Sequence, residues 1–178
     1  MKKIDLGCGN AKCDKESIGV DIVKMPGVDV VCDINNEKLP FSDNELDEVY
    51  SRHLFEHLDN FFFVMKEVYR VLKPNGKLIL KVPYFAAPTS YSDPTHKRFF
   101  GIYSFQCFDP SSGKHSYHQV GDTKFKLISV KYSFHYGFLS KFFEYFFNKS
   151  EKIQAKYERY LCYFIPAYDL KFILEPIK

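Results

Sequence analysis

Three acids and two glycines near the start of the chain have the types and spacing of a cofactor site. Ile4-Asp5-Leu6-Gly7-Cys8-Gly9-Asn10 is a short apolar run ending in an acid, followed at once by a Gly-x-Gly turn. Glycine lets the backbone pass close to a ligand and tolerates the positive φ angles of such turns. Asp21 closes the next apolar run, Ile18-Gly19-Val20-Asp21, and Asp33 follows the third, Val28 to Cys32. A dinucleotide loop requires Gly-x-Gly-x-x-Gly and an acid about 20 residues on. Here Lys12 stands at the third glycine position, and Asp21 follows after a much shorter hop. A helix N-terminus to hold a pyrophosphate has little room, and the Gly-Lys-Ser/Thr of a P-loop is absent. The expected ligand is a nucleoside without phosphates. Asp21 accepts the ribose hydroxyls, and Asp33 and Ile34 frame an adenine.

Beyond the fifth apolar run lies Ser92-Asp93-Pro94-Thr95-His96-Lys97-Arg98. Asp93-Pro94 reads as a turn that presents His96 toward the site, and a histidine titrates nearest neutrality. His96 is therefore the candidate general base or pocket residue. Tyr84, Tyr91 and Asp93 are the candidate acceptor-binding residues. His115 and His118, i and i+3 in a loop, read as surface, and no metal site is expected.

The elements that must position these groups can be read in order. Strands are expected at Lys2–Leu6, Ile18–Asp21, Val28–Cys32, Leu46–Ser51, Lys77–Val82, Lys124–Tyr132 and Asp169–Leu174. Apolar residues at 61, 64, 65, 68, 71 and 72 have the spacing of an amphipathic helix, which Pro74-Asn75-Gly76 ends. A short helix over Gly101–Phe108 and two aromatic helices over Phe138–Phe147 and Glu151–Phe164 complete the reading. Strands separated by helices or long crossovers imply a mainly parallel sheet, whose ligands sit beyond the strand C-termini. Asp5, Asp21, Asp33 and Ser51 all stand there. The fold class is α/β, a three-layer Rossmann-like sheet of about seven strands.

Composition narrows the function classes. The 178 residues suit one domain, with a formal net charge of +3. Acids outnumber bases in the first 80 residues, while bases outnumber acids after them, where most of the aromatics also lie. With no basic cluster longer than Lys97-Arg98, a nucleic-acid groove is not expected. No apolar run reaches membrane-helix length. Five cysteines without a CxxC pair, behind a start unlike a signal peptide, predict free thiols and a cytoplasmic setting.

Asp5-Leu6-Gly7-Cys8-Gly9-Asn10, Ile18-Gly19-Val20-Asp21-Ile22, Cys32-Asp33-Ile34, the run from Leu39 to Leu58 and the run from Glu67 to Leu80 resemble, in order, the motifs of class I S-adenosylmethionine-dependent methyltransferases. The resemblance covers residues 1 to about 108 and the final strand. It implies a last strand antiparallel to the others, with S-adenosylmethionine held by Asp5, Gly7, Gly9, Asp21, Ile22, Asp33 and Ile34. Ser51 and His53 would border the sulfonium, and Glu56-His57 would orient the loop and helix behind them. The first helix is nearly missing, as in a short-loop subgroup of the family. Residues 84–125 and 135–168 are then expected to cover the substrate.

The resulting expectation is methyl transfer to the oxygen or nitrogen of a small molecule. The strongly aromatic stretch from Phe138 to Phe147 predicts either a lid or a homodimer surface. The rival reading is a non-catalytic module that binds S-adenosylmethionine or scaffolds through this aromatic part.

Overall fold

The computed structural model describes residues 1–113 and 120–178. His115 and His118 lie outside them. Seven strands form one sheet: β1 (Lys3–Leu6), β2 (Ile18–Asp21), β3 (Val30–Val31), β4 (Leu46–Arg52), β5 (Leu72–Pro83), β6 (Phe125–Ser133) and β7 (Asp169–Pro176). Their spatial order is β3-β2-β1-β4-β5-β7-β6. The first five pair in parallel, and β7 runs antiparallel to both β5 and β6. This is the α/β sheet with an antiparallel last strand that the sequence implied.

The parallel half buries continuous apolar runs, as strands covered on both faces require. Ile4, Leu6, Val20, Val49, Leu78 and Leu80 are all fully buried. Helix α1 (Phe61–Val71) lays Phe61, Val64, Met65, Val68 and Val71 on this core. Its Glu67 and Arg70 pair at 2.7 Å. Glu67 also accepts the Leu39 N–H at 3.0 Å, while Arg70 donates to the Leu39 and Phe41 carbonyls. The two side chains thereby pin the loop before β4.

Several boundaries differ from expectation. Strand β3 keeps only two residues, because loop hydrogen bonds, not ladder, hold its flanks: Asp29 N–H reaches the Gly19 carbonyl and Cys32 N–H the Asp21 carbonyl. Strand β5 begins directly after α1, with Pro74-Asn75-Gly76 as a tight turn inside it and Asn75 at φ 64°. The expected helix over Gly101–Phe108 is a series of turns ending in a 3₁₀ turn, Gln106–Phe108. The expected loop after β5 contains one helical turn, α2 (Thr89–Ser92).

Residues 10–17 form turns instead of a first helix. The reason lies beneath them. A Cβ on Gly27 would stand 2.8 Å from the Gly9 carbonyl oxygen, and one on Gly19 would stand 2.0 Å from that of Gly27. Backbone packs on backbone there. Lys12, the residue that displaces the third glycine, pairs with Asp29 at 2.9 Å and fastens the loop to the β2–β3 side.

Helices α3 (Ser140–Phe147) and α4 (Glu151–Tyr160) pack at the β6 edge. Phe134, Phe147 and Tyr157 are buried together there. Asn148 accepts the Tyr132 N–H at 2.7 Å and donates to the Tyr132 carbonyl at 2.9 Å. Among the described residues no helix is long and apolar enough to cross a membrane.

Candidate functional site

Two cavities open at the C-terminal ends of the parallel strands, and His57 lines both. The first is a slot bounded by Gly7, Asp21, Ile22, Asp33 and Ile34. The second has a volume of about 610 Å³ and is bounded by His53, Glu56, Asp93, His96 and Tyr168 among others.

The slot follows from the glycine turn. Gly7 sits at φ 71° and Gly9 at φ 56°, in the left-handed region where a side chain is strained. The Gly9 N–H donates to Asp21 Oδ2 at 2.9 Å, so the loop after β1 and the acid ending β2 hold each other. Asp21 Oδ1 accepts the Val23 N–H. Asp33 stands one strand over. Its Oδ1 accepts the Asn35 N–H at 3.1 Å and its Oδ2 the Asn36 side-chain amide at 2.8 Å. Two carboxylates facing an apolar slot with Ile22, Ile34, Leu54 and Leu58 suit a ribose diol and a flat base. The donor set fits an adenosyl group.

The other expected cofactor residues have different places. Asp5 does not line the slot. It is buried, and its Oδ2 accepts the Cys13 N–H at 2.7 Å, pinning the returning loop. Burial pushes its carboxyl above the usual range. Ser51 is also buried, and its hydroxyl donates to the Leu6 carbonyl, joining the tips of β4 and β1. Gly9 acts through its N–H on Asp21. His53 belongs to the second cavity, at φ 53°, with Nδ1 3.3 Å from Glu56 Oε1 and Nε2 3.5 Å from Asp169 Oδ1.

The second cavity is built by the loop after β5 folding onto the segment after β4. The Lys97 and Arg98 N–H groups both donate to the Glu56 carbonyl, which brings His96 over Glu56 and His57. The His57 and His96 rings meet edge to face, with centroids 4.8 Å apart. Asp93 caps its own turn: Oδ1 accepts from the Thr95 N–H at 2.8 Å and the Thr95 hydroxyl at 2.6 Å. Those bonds hold its carboxyl below the usual range.

Of the expected acceptor residues, Asp93 and His96 line this cavity. Tyr84 requires correction. It is fully buried among Phe85, Tyr132 and Tyr157, because the chain turns inward after Pro83. Tyr91 is 64% exposed and stacks on Phe99 outside the cavity. The covering role expected for 135–168 is also corrected. Its helices pack at the β6 edge, and of that stretch Tyr168 alone lines the cavity. Glu56 and His57, read as orienting groups, face the cavity directly. The signal was there in the sequence, since three ionisable residues follow β4 within five positions. Thr89, Tyr168 and Asp169 carried none, because only the folded loop and β7 bring them near.

Residues 4–80 match the family model of the methyltransferase domain. That match, with the sheet order and the slot, supports a class I S-adenosylmethionine-dependent methyltransferase. Its cofactor is S-adenosylmethionine. The ubiquinone/menaquinone biosynthesis C-methyltransferase of Desulfotalea psychrophila is 47% identical over 49 residues, 28% of this chain and 19% of that protein. Cycloartenol-C-24-methyltransferase 1 of Oryza sativa is 32% identical over 123 residues, covering 55% of this chain and 35% of that protein. The chain thus spans only 19% and 35% of the length of these curated relatives. A solved S-adenosylmethionine-dependent methyltransferase from Archaeoglobus fulgidus superposes over 98% of this chain and 85% of its own, with a TM-score of 0.60 and 22% identity. The YcgJ protein of Bacillus subtilis gives 0.59 and 16% over 99% of this chain and 92% of its own. At those identities the likeness is one of fold.

Proposed function

We propose that this chain catalyses methyl transfer from S-adenosylmethionine to a small-molecule acceptor held in the second cavity. One observation carries the reading: His57 lines both cavities, so the cofactor slot and the acceptor cavity meet at a single side chain. In-line displacement needs donor and acceptor held end to end, and positioning supplies much of the rate. When bound, S-adenosylmethionine supplies an electrophilic methyl group. Asp21 and Asp33 hold its ribose and base edges. The Gly7–Gly9 turn lets the backbone approach.

His96 faces the acceptor. Its Nδ1 lies 2.9 Å from the Ser90 carbonyl oxygen, which fixes the ring and directs Nε2 into the cavity. Nε2 lies 4.0 Å from Glu56 Oε1 and 3.9 Å from Asp93 Oδ2. With Nδ1 committed to the Ser90 carbonyl, Nε2 is the ring nitrogen left to receive an acceptor proton. An acceptor oxygen or nitrogen fits that chemistry. Carbon is the second reading, favoured by the names of the two curated relatives, both C-methyltransferases.

Calorimetry with S-adenosylmethionine and its demethylated product tests the reading first. Binding at micromolar to millimolar concentration, lost in Asp21→Ala, is expected. A screen of labelled methyl transfer into metabolite pools then identifies the acceptor, with turnover falling in His96→Ala while cofactor binding persists. Cofactor binding without any transfer would instead support a scaffold or sensor module.

A further inference from the structure

We propose that Glu56, His57 and His96 form a binding site for a divalent transition-metal cation of the zinc type. Each side chain offers one ligand atom, and the three atoms lie within 4.8 Å of one another. Two imidazoles and one carboxylate are a donor set that such cations take, leaving coordination positions open.

The hydrogen bonds around the cluster fix which atoms are free. His96 Nδ1 lies 2.9 Å from the Ser90 carbonyl oxygen, which only accepts, so Nδ1 carries the proton and donates. The Thr95 hydroxyl gives its proton to Asp93 Oδ1 at 2.6 Å. It therefore accepts from His57 Nδ1 at 2.9 Å, which places the His57 proton on Nδ1 as well. Both rings thus present Nε2 as the remaining ring nitrogen. Metal-bound histidines are held in this way, with the second nitrogen donating to a carbonyl or another oxygen acceptor.

Glu56 completes the set. Its side chain is 1% exposed, with Oε1 3.3 Å from His53 Nδ1 and Oε2 buried without a hydrogen-bond partner among the described residues. A buried carboxylate oxygen without a donor is costly. Among the described residues, His96 Nε2 faces two carboxylates, Glu56 at 4.0 Å and Asp93 at 3.9 Å. One cation would satisfy the Glu56 carboxylate and both imidazoles together. Its open positions face the cavity of about 610 Å³, where an oxygen of the acceptor can join the shell. That use rests on the function proposed above, with the bound cation then activating the acceptor in place of His96 Nε2 as proton acceptor; the binding of the cation does not.

The test uses the full chain, stripped with a chelator and dialysed against Zn²⁺ alone, with bound metal read by elemental analysis. One equivalent per chain is expected. Co²⁺ in its place should give a visible absorption band of a nitrogen- and oxygen-ligated centre. His57→Gln and Glu56→Gln should each weaken binding at least tenfold. Thr95→Val, which removes the acceptor behind His57 together with the hydroxyl that donates to Asp93, should weaken it by about tenfold. Thr95 is exposed, so this variant reads the site even if Glu56→Gln folds poorly. Cys13→Ser and the pair His115→Ala/His118→Ala should leave the stoichiometry unchanged. Less than a tenth of an equivalent, or binding lost in those controls but kept in His57→Gln, would overturn the proposal. Calorimetry with the demethylated cofactor on the same stripped protein reports the methyltransferase reading separately.

Discussion

The Gly9 N–H donates to Asp21 Oδ2 at 2.9 Å, so the glycine turn and the acid that ends β2 are one device. A charge-assisted hydrogen bond is worth about 1.5–3 kcal/mol, and its loss also frees the turn. Asp21→Asn keeps an oxygen to accept the Gly9 N–H but loses the charge. Asp21→Ala loses both. The expected order of cofactor affinity is wild type, then Asn, then Ala, with about tenfold or more between the ends. Equal affinities of the Asn and Ala variants in calorimetry would show that the loop does not depend on this bond.

Gly7 and Gly9 separate two reasons for glycine. Both have positive φ, but a Cβ on Gly7 would stand 3.0 Å from the Leu54 Cβ, whereas one on Gly9 meets nothing within 4 Å. Gly9→Ala should therefore cost only the backbone strain, about 1–2 kcal/mol. Gly7→Ala should cost more, because the Leu54 Cβ cannot move without its backbone. Urea melts of the two variants check the order, and equal losses would rule out the contact.

How far the sequence reached depends on what each residue answers to. The glycine turn, Asp21 and Asp33 were legible because local backbone geometry and strand-end position place them. Ile22 and Ile34 followed from the same strand ends. Tyr84 was misread because its type suits both a pocket and a core, and only the inward turn after Pro83 decides between them. His96 lines the second cavity as expected of a pocket residue, whereas His53, expected beside the cofactor, lines that same cavity and not the slot. Glu56 follows β4 while Tyr168 and Asp169 stand together at the start of β7, and long-range folding alone brings the two segments to one cavity. The aromatic helices were legible as helices, while their place at the β6 edge depends on pairing between Tyr132 and Asn148.

Glu158 gives the fold a pH dependence of known sign. Burial raises its carboxyl pKa, against the lowering effect of the Ile102 N–H that it accepts at 3.0 Å. The folded state therefore holds this proton more tightly than the unfolded one. The stability it confers is full below the unfolded pKa and is lost as pH rises through the raised folded value. Glu158→Gln keeps an acceptor for Ile102 and never charges. The variant should match wild type near pH 4 and exceed it at pH 7–8 in urea melts. Parallel stability curves across that range would refute the assignment.

Helix α3 places two neighbouring phenylalanines in opposite surroundings. Phe147 is 5% exposed and packs on Phe134 at 5.7 Å and Tyr157 at 4.4 Å between ring centroids. Phe146 is 48% exposed, against Phe142 on the outer face. Truncating a buried phenylalanine removes its transfer energy and leaves a cavity, so Phe147→Ala should cost about 3–5 kcal/mol. Phe146→Ala gives up partly solvated surface and should change stability by about 0.5 kcal/mol. The same pair reads the role of the outer face. If Phe142 and Phe146 contact a second copy, Phe146→Ala lowers the sedimentation coefficient at high concentration while its melt at low concentration stays put. A cost for Phe146→Ala equal to that of Phe147→Ala would mean that the outer aromatic row is packed within the chain, and the orientation of α3 on β6 would be wrong.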